Sequence, residues 1–340
     1  MSPVFLSVLA AGQGATLQDH GRHGWLRYGI TAAGPMDPLA HATANRALGN
    51  PAGATALEIP LGGIELTAEG GPLGVALAGG AFRIALDGNL VPPGAALTLR
   101  PGESLTVRAG RAGAWLYLAV AGRIDVPAML GSTATHTRSG FGGFRGRALQ
   151  AGDRLPVANA QPGPGEVCTL VAPWLDRDPG EIRVVLGPQD DYFSQDQIAA
   201  FLERPWTVTA KGDRMACFLD GTPLTHAKGY NIVSDGIAMG AIQVPGEGWP
   251  IVLMADRQST GGYPKIATVI GPDLGRLAQA QPGTRLRFAA VGVAQAVAAR
   301  RAEAEALAGP IALDPLVRTD FPSEFLLGRN LVGGVVDGRA

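Results

Sequence analysis

The sequence contains little cysteine and no long apolar run. Only two of its 340 residues are cysteine, Cys168 and Cys217, which is too few for a disulfide framework and is typical of a reducing compartment. The longest apolar stretch, residues 114–121, is much shorter than the roughly 18 residues that a membrane-spanning helix needs. No basic residue precedes Arg22, so the start lacks the charged segment of a signal peptide. We therefore expect a cytoplasmic protein that does not associate with membranes.

The sequence also lacks an excess of positive charge. Its 28 Lys and Arg residues are balanced by 29 Asp and Glu residues, giving a net charge of -1. No basic stripe with interleaved aromatic residues occurs, which argues against binding to a nucleic-acid backbone. Only three residues are lysine, Lys211, Lys228 and Lys265, so arginine supplies nearly all of the positive charge.

Glycine and proline, in contrast, are abundant. The chain has 49 glycines and 26 prolines, together about twice the usual share. Because hydrophobic residues make up 46% of the sequence, this surplus indicates many turns in a folded chain and not disorder. A chain of this length is expected to form two lobes of roughly 100–200 residues each.

Short apolar or alternating runs between turn residues predict β-strands throughout the chain. The stretch from Gln161 to Gly165 divides them into two sets: residues 4–9, 64–67, 75–77, 83–86, 96–99, 104–107 and 115–120, and residues 167–171, 182–186, 206–210, 241–244, 251–254, 266–270 and 284–288. Helices are predicted for residues 38–46, 195–202 and 294–307, the first two with Asp37 and Ser194 as caps.

The predicted fold is mainly β, with two barrel-like lobes and a few short peripheral helices. Antiparallel strands joined by tight turns most simply remove their exposed edges by closing into barrels. We assign residues 1–160 to the first lobe, 166–309 to the second lobe with its C-terminal helix, and 310–340 to a C-terminal extension.

The densest polar segment lies where a strongly apolar run, residues 250–254, ends in a loop. The residues that could bind a ligand here are Asp256, Arg257, Gln258, Lys265, Thr260, Gly261, Gly262 and Tyr263, with Ser234 and Gln243 upstream. Carboxylate, guanidinium, amide and ammonium groups are combined with glycines that let a ligand approach the backbone. The alternative is that the polar groups only satisfy the loop backbone.

A second polar segment, residues 131–147, precedes and includes a glycine-rich turn. Ser132, His136 and Arg138 could bind a carboxylate, amide or phosphate there, or His136 could be a structural histidine. Neither a P-loop nor a dinucleotide-binding glycine pattern occurs in the sequence. Asp213 and Arg214 are further candidates. Asp19, His20 and His23 lie close together, but their glycine-interrupted pattern is a weak signal, so we predict no metal site.

These segments resemble the biotin-dependent carboxyltransferase family, also called the allophanate hydrolase subunit 2 family. The matching stretches, in family order, are QDHGRHGW, GPMDPLAHATANRALGN, YLAVAGRIDVPAMLGSTATHTRSGFGGFRGRALQAGDRL, LGPQDDYF, GDRM, SDGIAMGAIQVPGEGWPIVLMADRQSTGGYPKIATVI and LAQAQPGTRLRF. The resemblance implies cyclophilin-like β-barrel lobes. The stretch after about Pro310 lies outside it.

The resemblance also implies an activity and partners. It implies one component of a heteromeric ATP-dependent 5-oxoprolinase, which opens the lactam of 5-oxo-L-proline to L-glutamate. The partners would be an allophanate hydrolase subunit 1-like protein, as the B subunit, and a LamB/YcsF-like protein, as the A subunit. This chain would bind no cofactor alone, whereas the complex would use ATP with Mg. For polarising an amide carbonyl, we expect Arg257, Gln258 and Lys265 to donate hydrogen bonds, with Asp256 orienting Arg257 or acting as a base.

Two other functions fit the same resemblance. One is a carboxyltransferase component that acts on urea or a related amide, with biotin supplied by another protein because no Met-Lys attachment pair occurs in this sequence. The other is a regulator of the Kip antagonist type, without enzymatic activity, that binds a subunit 1-like protein.

Overall fold

The computed structural model describes residues 3–316 of the chain. Its strands are β1 Val4–Ala11, β2 Thr16–Gln18, β3 Ala56–Pro60, β4 Ile64–Glu69, β5 Leu73–Leu86, β6 Asn89–Val91, β7 Ala95–Leu99, β8 Leu105–Val120, β9 Arg123–Ile124, β10 Arg154–Ala158, β11 Cys168–Val171, β12 Glu181–Leu186, β13 Trp206–Val208, β14 Ala216–Asp220, β15 Asp235–Gly236, β16 Ala241–Gln243, β17 Ile251–Leu253, β18 Thr260–Gly261, β19 Lys265–Val269, β20 Arg285–Ala290 and β21 Ala312–Pro315. Its α-helices are α1 Pro38–Ala47, α2 Gln195–Glu203, α3 Gly271–Ala278 and α4 Val293–Ala308. The mainly β prediction is confirmed.

The first lobe is a 12-stranded sheet built around two long strands, β5 and β8. Each was expected as two short strands, because glycines interrupt the apolar pattern. The structure joins them across β-bulges, and β5 and β8 pair antiparallel from Val75 and Val120 to Leu86 and Leu105. A Cβ atom on Gly80 would lie 2.9 Å from the Cα atom of Gly113. The glycines therefore allow two backbones to approach inside the sheet instead of ending the strands.

The second lobe is a closed seven-strand barrel with the order β12-β19-β16-β17-β14-β13-β20. Parallel pairing of β12 with β20 closes it, with Ile182 opposite Phe288. Its core includes Trp206, Phe201 and Phe288, and the last two rings stack with centroids 4.7 Å apart. The barrel expected for this half of the chain is confirmed.

The three predicted helices are present, and a fourth was missed. Asp37 caps α1 by accepting a hydrogen bond from the Ala40 N–H at 3.3 Å, and Ser194 caps α2 in the same manner. The missed helix, α3, begins at Gly271-Pro272, a pair that is typical of a turn. Proline also suits the first turn of a helix, and α3 buries Leu274 and Leu277 in the core of the second lobe.

The two ends of the second half of the chain return to the first lobe. Strand β11, which we assigned to the second lobe, pairs with β7 of the first sheet. Strand β21, at the start of the predicted extension, pairs in turn with β11. The rest of that extension, from residue 317, lies outside the described residues. Within residues 3–316, no helix is long and apolar enough to cross a membrane.

Candidate active site between the lobes

A cleft of about 1040 Å³ lies between the two lobes, and we call it the interlobe cleft. It is large enough for a small-molecule substrate. Most of its lining is apolar or backbone, and the charged side chains on its walls belong to Arg138, Arg147, Asp213, Arg214 and Asp256. Four of these five, all except Arg147, are residues that the sequence predicted for a site.

Arg214 and Asp256 form a buried ion pair at the cleft. Asp256 follows β17, and its N–H donates to the Arg214 carbonyl at 2.8 Å, which holds the two segments side by side. The Arg214 Nε and Nη2 atoms lie 2.9 and 2.8 Å from the two Asp256 carboxylate oxygens. This bidentate geometry fixes the orientation of both groups.

Arg214 also reaches into the first lobe. Its Nη1 atom donates to Glu58 of β3, and its Nη2 atom donates to the Gly34 carbonyl at 2.8 Å. Glu58 is fully buried and also accepts hydrogen bonds from the Tyr117 hydroxyl at 2.7 Å and the Met36 N–H at 2.8 Å. One guanidinium therefore connects the two lobes beside the cleft.

Burial and charge fix the protonation of this network. Burial alone would lower the pKa of Arg214, but the carboxylates of Glu58 and Asp256 raise it above its usual value. Burial also raises the pKa of Tyr117, so its hydroxyl keeps the proton that it donates to Glu58. Arg214 consequently stays charged and lies beside the Asp256 carboxylate at the cleft.

His136 lies near this network and is neutral at neutral pH. Burial lowers its pKa, although the charge of Asp256 opposes the shift. The Ser139 N–H donates to His136 Nδ1 at 3.3 Å, so the ring proton is on Nε2 and is donated to the Thr31 hydroxyl at 3.0 Å. His136 is thus held as a hydrogen-bond donor.

Arg138 and Asp213 are exposed residues of the cleft wall. The Arg138 guanidinium lies 3.1 Å from the Met215 sulfur. Asp213 accepts hydrogen bonds from the N–H groups of Met215 and Ala216 at 2.7 and 3.3 Å. Arg138 keeps donors available to a ligand, whereas Asp213 shapes the turn that leads into β14.

Ser132 occupies a different place from the cleft residues. It is 1% exposed, and its hydroxyl donates to Asp19 at 2.5 Å. Asp19 also accepts from the N–H groups of Thr133 and Gly21, each at 2.8 Å. These hydrogen bonds outweigh burial and lower the pKa of Asp19. Ser132 therefore fastens two loop segments together.

The side chains of Arg257 and Lys265 bind partners other than the Asp256 carboxylate. Arg257 donates to the backbone carbonyls of Ile237 at 3.0 Å and Met254 at 3.4 Å. Lys265 is 2% exposed and lies 3.1 Å from the Asp235 carboxylate. Asp256 makes its ion pair with Arg214, so the structure separates residues that the sequence had grouped in one loop.

The other predicted residues of that loop cluster around Lys265. Strands β15 and β18 form a small two-stranded sheet that pairs Asp235 with Gly261. The Gln243 amide donates weakly to the Tyr263 carbonyl at 3.5 Å. This second group comprises Ser234, Gln243, Thr260, Gly261, Gly262, Tyr263 and Lys265, with half-buried Gln258 preceding it in the loop. The roles expected for these residues stay predictions.

Arg22 and Glu58 are polar residues that sequence reasoning missed. Arg22 is 1% exposed, its guanidinium lies 4.7 Å from the centre of the Phe141 ring, and Nη2 donates to the Ala134 carbonyl. Its position inside the QDHGRHGW motif was the available signal. Glu58 was the single charged residue of an otherwise apolar strand, a pattern that indicates a buried, paired carboxylate.

Metal-binding side chains do not gather anywhere in the described chain. Within residues 3–316, no group of three or more His, Cys, Asp or Glu residues is arranged to hold a metal ion. The Asp256 carboxylate accepts from the Arg214 guanidinium, a group that suits an oxyanion or a carbonyl oxygen.

Comparison with known proteins defines the family. A model of the carboxyltransferase domain, subdomain A and B, matches residues 28–290, and the chain belongs to this family. The chain is 39% identical over 300 residues to the C subunit of 5-oxoprolinase from Escherichia coli (strain K12), covering 87% of this chain and 94% of that protein. It is 37% identical over 296 residues to the C subunit of 5-oxoprolinase from Haemophilus influenzae, with the same coverage.

A solved structure supports the same assignment. The K. lactis urea amidolyase superposes with a TM-score of 0.83 at 27% identity, covering 91% of this chain. This chain spans 20% of the length of that protein. The family resemblance found in the sequence motifs is therefore confirmed, and the likeness extends across both lobes.

Proposed function

We propose that this chain is one component of a heteromeric 5-oxoprolinase, which opens the lactam of 5-oxo-L-proline to L-glutamate with consumption of ATP. The observation that carries the proposal is the 39% identity to the C subunit of a 5-oxoprolinase over 94% of that protein's length. Its partners would be an allophanate hydrolase subunit 1-like protein and a LamB/YcsF-like protein, the B and A subunits of the complex. The low cysteine content supports a cytoplasmic location.

The interlobe cleft supplies groups that suit a lactam carbonyl. Arg214 has five N–H donors, and four are used by Asp256, Glu58 and Gly34. One Nη1 proton is left to stabilise negative charge that develops on a carbonyl oxygen. Because both ends of the guanidinium are fixed, this donor needs no reorganisation during the reaction.

Asp256 is the base that we propose for the same site. Each of its carboxylate oxygens accepts one hydrogen bond from Arg214 and retains a second lone pair. A nucleophile held in the cleft could pass a proton to that lone pair. We assign Mg-ATP binding to the partner proteins, since the sequence lacks a P-loop.

The test measures ATP-dependent glutamate release from 5-oxoproline by the chain copurified with its two partner proteins. Asp256→Asn should reduce the rate about 100-fold or more, whereas the exposed control Asp125→Asn should leave it unchanged. Thermal unfolding of each variant shows whether a lost rate reflects lost folding. Absence of glutamate release from the wild-type complex would contradict the proposal. Tight partner binding without turnover would indicate a regulator of the Kip antagonist type.

A carboxyltransferase acting on urea or a related amide is the second candidate. The structural likeness to the K. lactis urea amidolyase favours it. Under this alternative, a biotinylated carrier from another protein would be required. Turnover of urea only when such a carrier is added, with no glutamate release from 5-oxoproline, would select this function.

A further inference from the structure

A second cavity, of about 310 Å³, lies at the junction of the lobes and shares no lining residue with the interlobe cleft. We call it the arginine cavity. Its walls come from the bulged parts of β5 and β8, from the segment before β12, and from the region of α3. The lining side chains that can bind a ligand are those of Asp37, Arg111, Asp176, Arg177, Arg276, Gln279, Gln281 and Thr284.

Charged side chains of both signs line this cavity. Three arginines face two aspartates, and one of those, Asp37, is fully buried and already engaged. Its carboxylate accepts hydrogen bonds from Arg177 at 2.6 Å and from Gln279 at 3.0 Å. Arg276 pairs with Asp273 at 3.3 Å, which leaves Arg111 as the lining arginine that forms no ion pair within residues 3–316.

Arg177 has donors that the described chain does not satisfy. One terminal nitrogen, Nη2, binds Asp37, but Nε and Nη1 are buried and have no hydrogen-bond partner within residues 3–316. A buried donor in a native structure normally has a partner, which is a protein group, an ordered water or a ligand. An oxyanion in the cavity could supply that partner to Arg177. Arg111, which also lines the cavity, is exposed and forms no ion pair with any residue of the same range.

The walls of the cavity are fixed before any ligand binds. The Gln279 side-chain oxygen accepts from the N–H groups of Ala114 and Trp115 at 2.9 and 3.1 Å. Gln281 donates to the Gly113 carbonyl at 2.8 Å. These amides hold the bulge of β8 against the end of α3. A preformed cavity loses little conformational entropy on binding.

We propose that the arginine cavity binds a small oxyanion, either a phosphate or a carboxylate, through Arg177 and Arg111. Both anions accept the forked hydrogen bonds of a guanidinium, and the cavity volume lies at the lower end of the range for ligand pockets. The inference does not depend on the proposed 5-oxoprolinase function, because it uses residues outside the interlobe cleft.

Isothermal titration calorimetry on the full chain tests the proposal, with inorganic phosphate, L-glutamate and 5-oxo-L-proline as separate probes at constant ionic strength. We expect saturable one-to-one binding of at least one probe. Because 5-oxo-L-proline can also bind in the interlobe cleft, the probe whose affinity falls in Arg111→Gln identifies the source of the oxyanion. Arg111→Gln should weaken that binding by roughly tenfold, the value of one charge-assisted contact. Arg177→Gln should weaken it at least as much.

Arg123→Gln is the matched control, because Arg123 is exposed on β9 and pairs with the exposed Asp125. It should bind the probe as the wild type does. Arg177→Gln leaves Asp37 without its charged partner and can disturb folding. Arg111 is exposed and forms no ion pair within residues 3–316, so Arg111→Gln decides the question. Absence of saturable binding of all three probes, or unchanged affinity in Arg111→Gln, overturns the proposal.

Discussion

His41 should make the stability of the first lobe depend on pH. This histidine lies on α1 with 2% of its surface exposed, and its Nε2 atom lies 3.1 Å from the Gln18 carbonyl. The Tyr117 ring contacts it edge-on, with centroids 5.7 Å apart. Burial among these groups lowers the pKa of His41 to about 4, because the charged imidazolium would lose its hydration.

The sign and size follow from linkage. Between the lowered pKa of about 4 and the ordinary value of about 6.5, the unfolded chain binds a proton that the folded chain does not. The free energy of unfolding therefore falls as the pH decreases through this window. A difference of about 2.5 pKa units corresponds to about 3 kcal/mol, all of it lost once the pH is below about 4.

Urea denaturation at a series of pH values from about 7 to about 4.5 measures this term. His41→Gln keeps a side-chain amide donor but cannot take up a proton, so its stability should decline less steeply with acidification than that of the wild type. His23→Gln, at an exposed position, should match the wild-type slope. If the difference between wild type and His41→Gln stays constant within about 0.5 kcal/mol over that range, the buried neutral histidine is refuted.

Two further substitutions and one alkylation reaction test other parts of the structure. Glu58→Gln should lower the free energy of unfolding by about 3 kcal/mol in urea denaturation, because it removes one partner of a buried ion pair; a loss below about 1 kcal/mol would contradict that pair. Gly142→Ala should lower the melting temperature much more than Gly140→Ala does. Both glycines have left-handed backbones, but only at Gly142 would a Cβ atom overlap another backbone carbonyl. Equal shifts would contradict this packing. Burial raises the pKa of Cys217 to about 12, so iodoacetamide should alkylate it slowly in folded protein near pH 8 and rapidly in urea, as followed by mass spectrometry; equal rates would show an accessible thiol.

Local sequence signals predicted most strands and three helices, because those elements depend on neighbouring residues. Asp37 and Ser194 cap helices by bonding to N–H groups three residues later, an interaction that is visible in the sequence. The errors have a shared cause. Gly80 and Gly113 lie in gaps between the predicted strands, whereas the structure shows that they allow close contact between β5 and β8. Such a contact joins residues far apart in the chain, so local patterns could not reveal it.

The candidate site was predicted only in part, because its contacts also join residues that are far apart in the chain. Asp256 and Arg214 were both selected for their polar character and family motifs, and the structure places them in one ion pair. Their partner Glu58 was not selected, because its position in an apolar strand gave no sign that Arg214, 156 residues later, would reach it. Arg257, adjacent to Asp256, bonds instead to the backbone.

Arg214 couples the packing of the two lobes to the geometry of the interlobe cleft. Its hydrogen bonds to Glu58 and to the Gly34 carbonyl belong to the first lobe, and its bidentate pair with Asp256 belongs to the second. A shift of one lobe against the other would have to break a charged, buried hydrogen bond on one side of the guanidinium. The orientation of Asp256 is therefore set by both lobes together, and neither lobe alone contains all the groups that hold it.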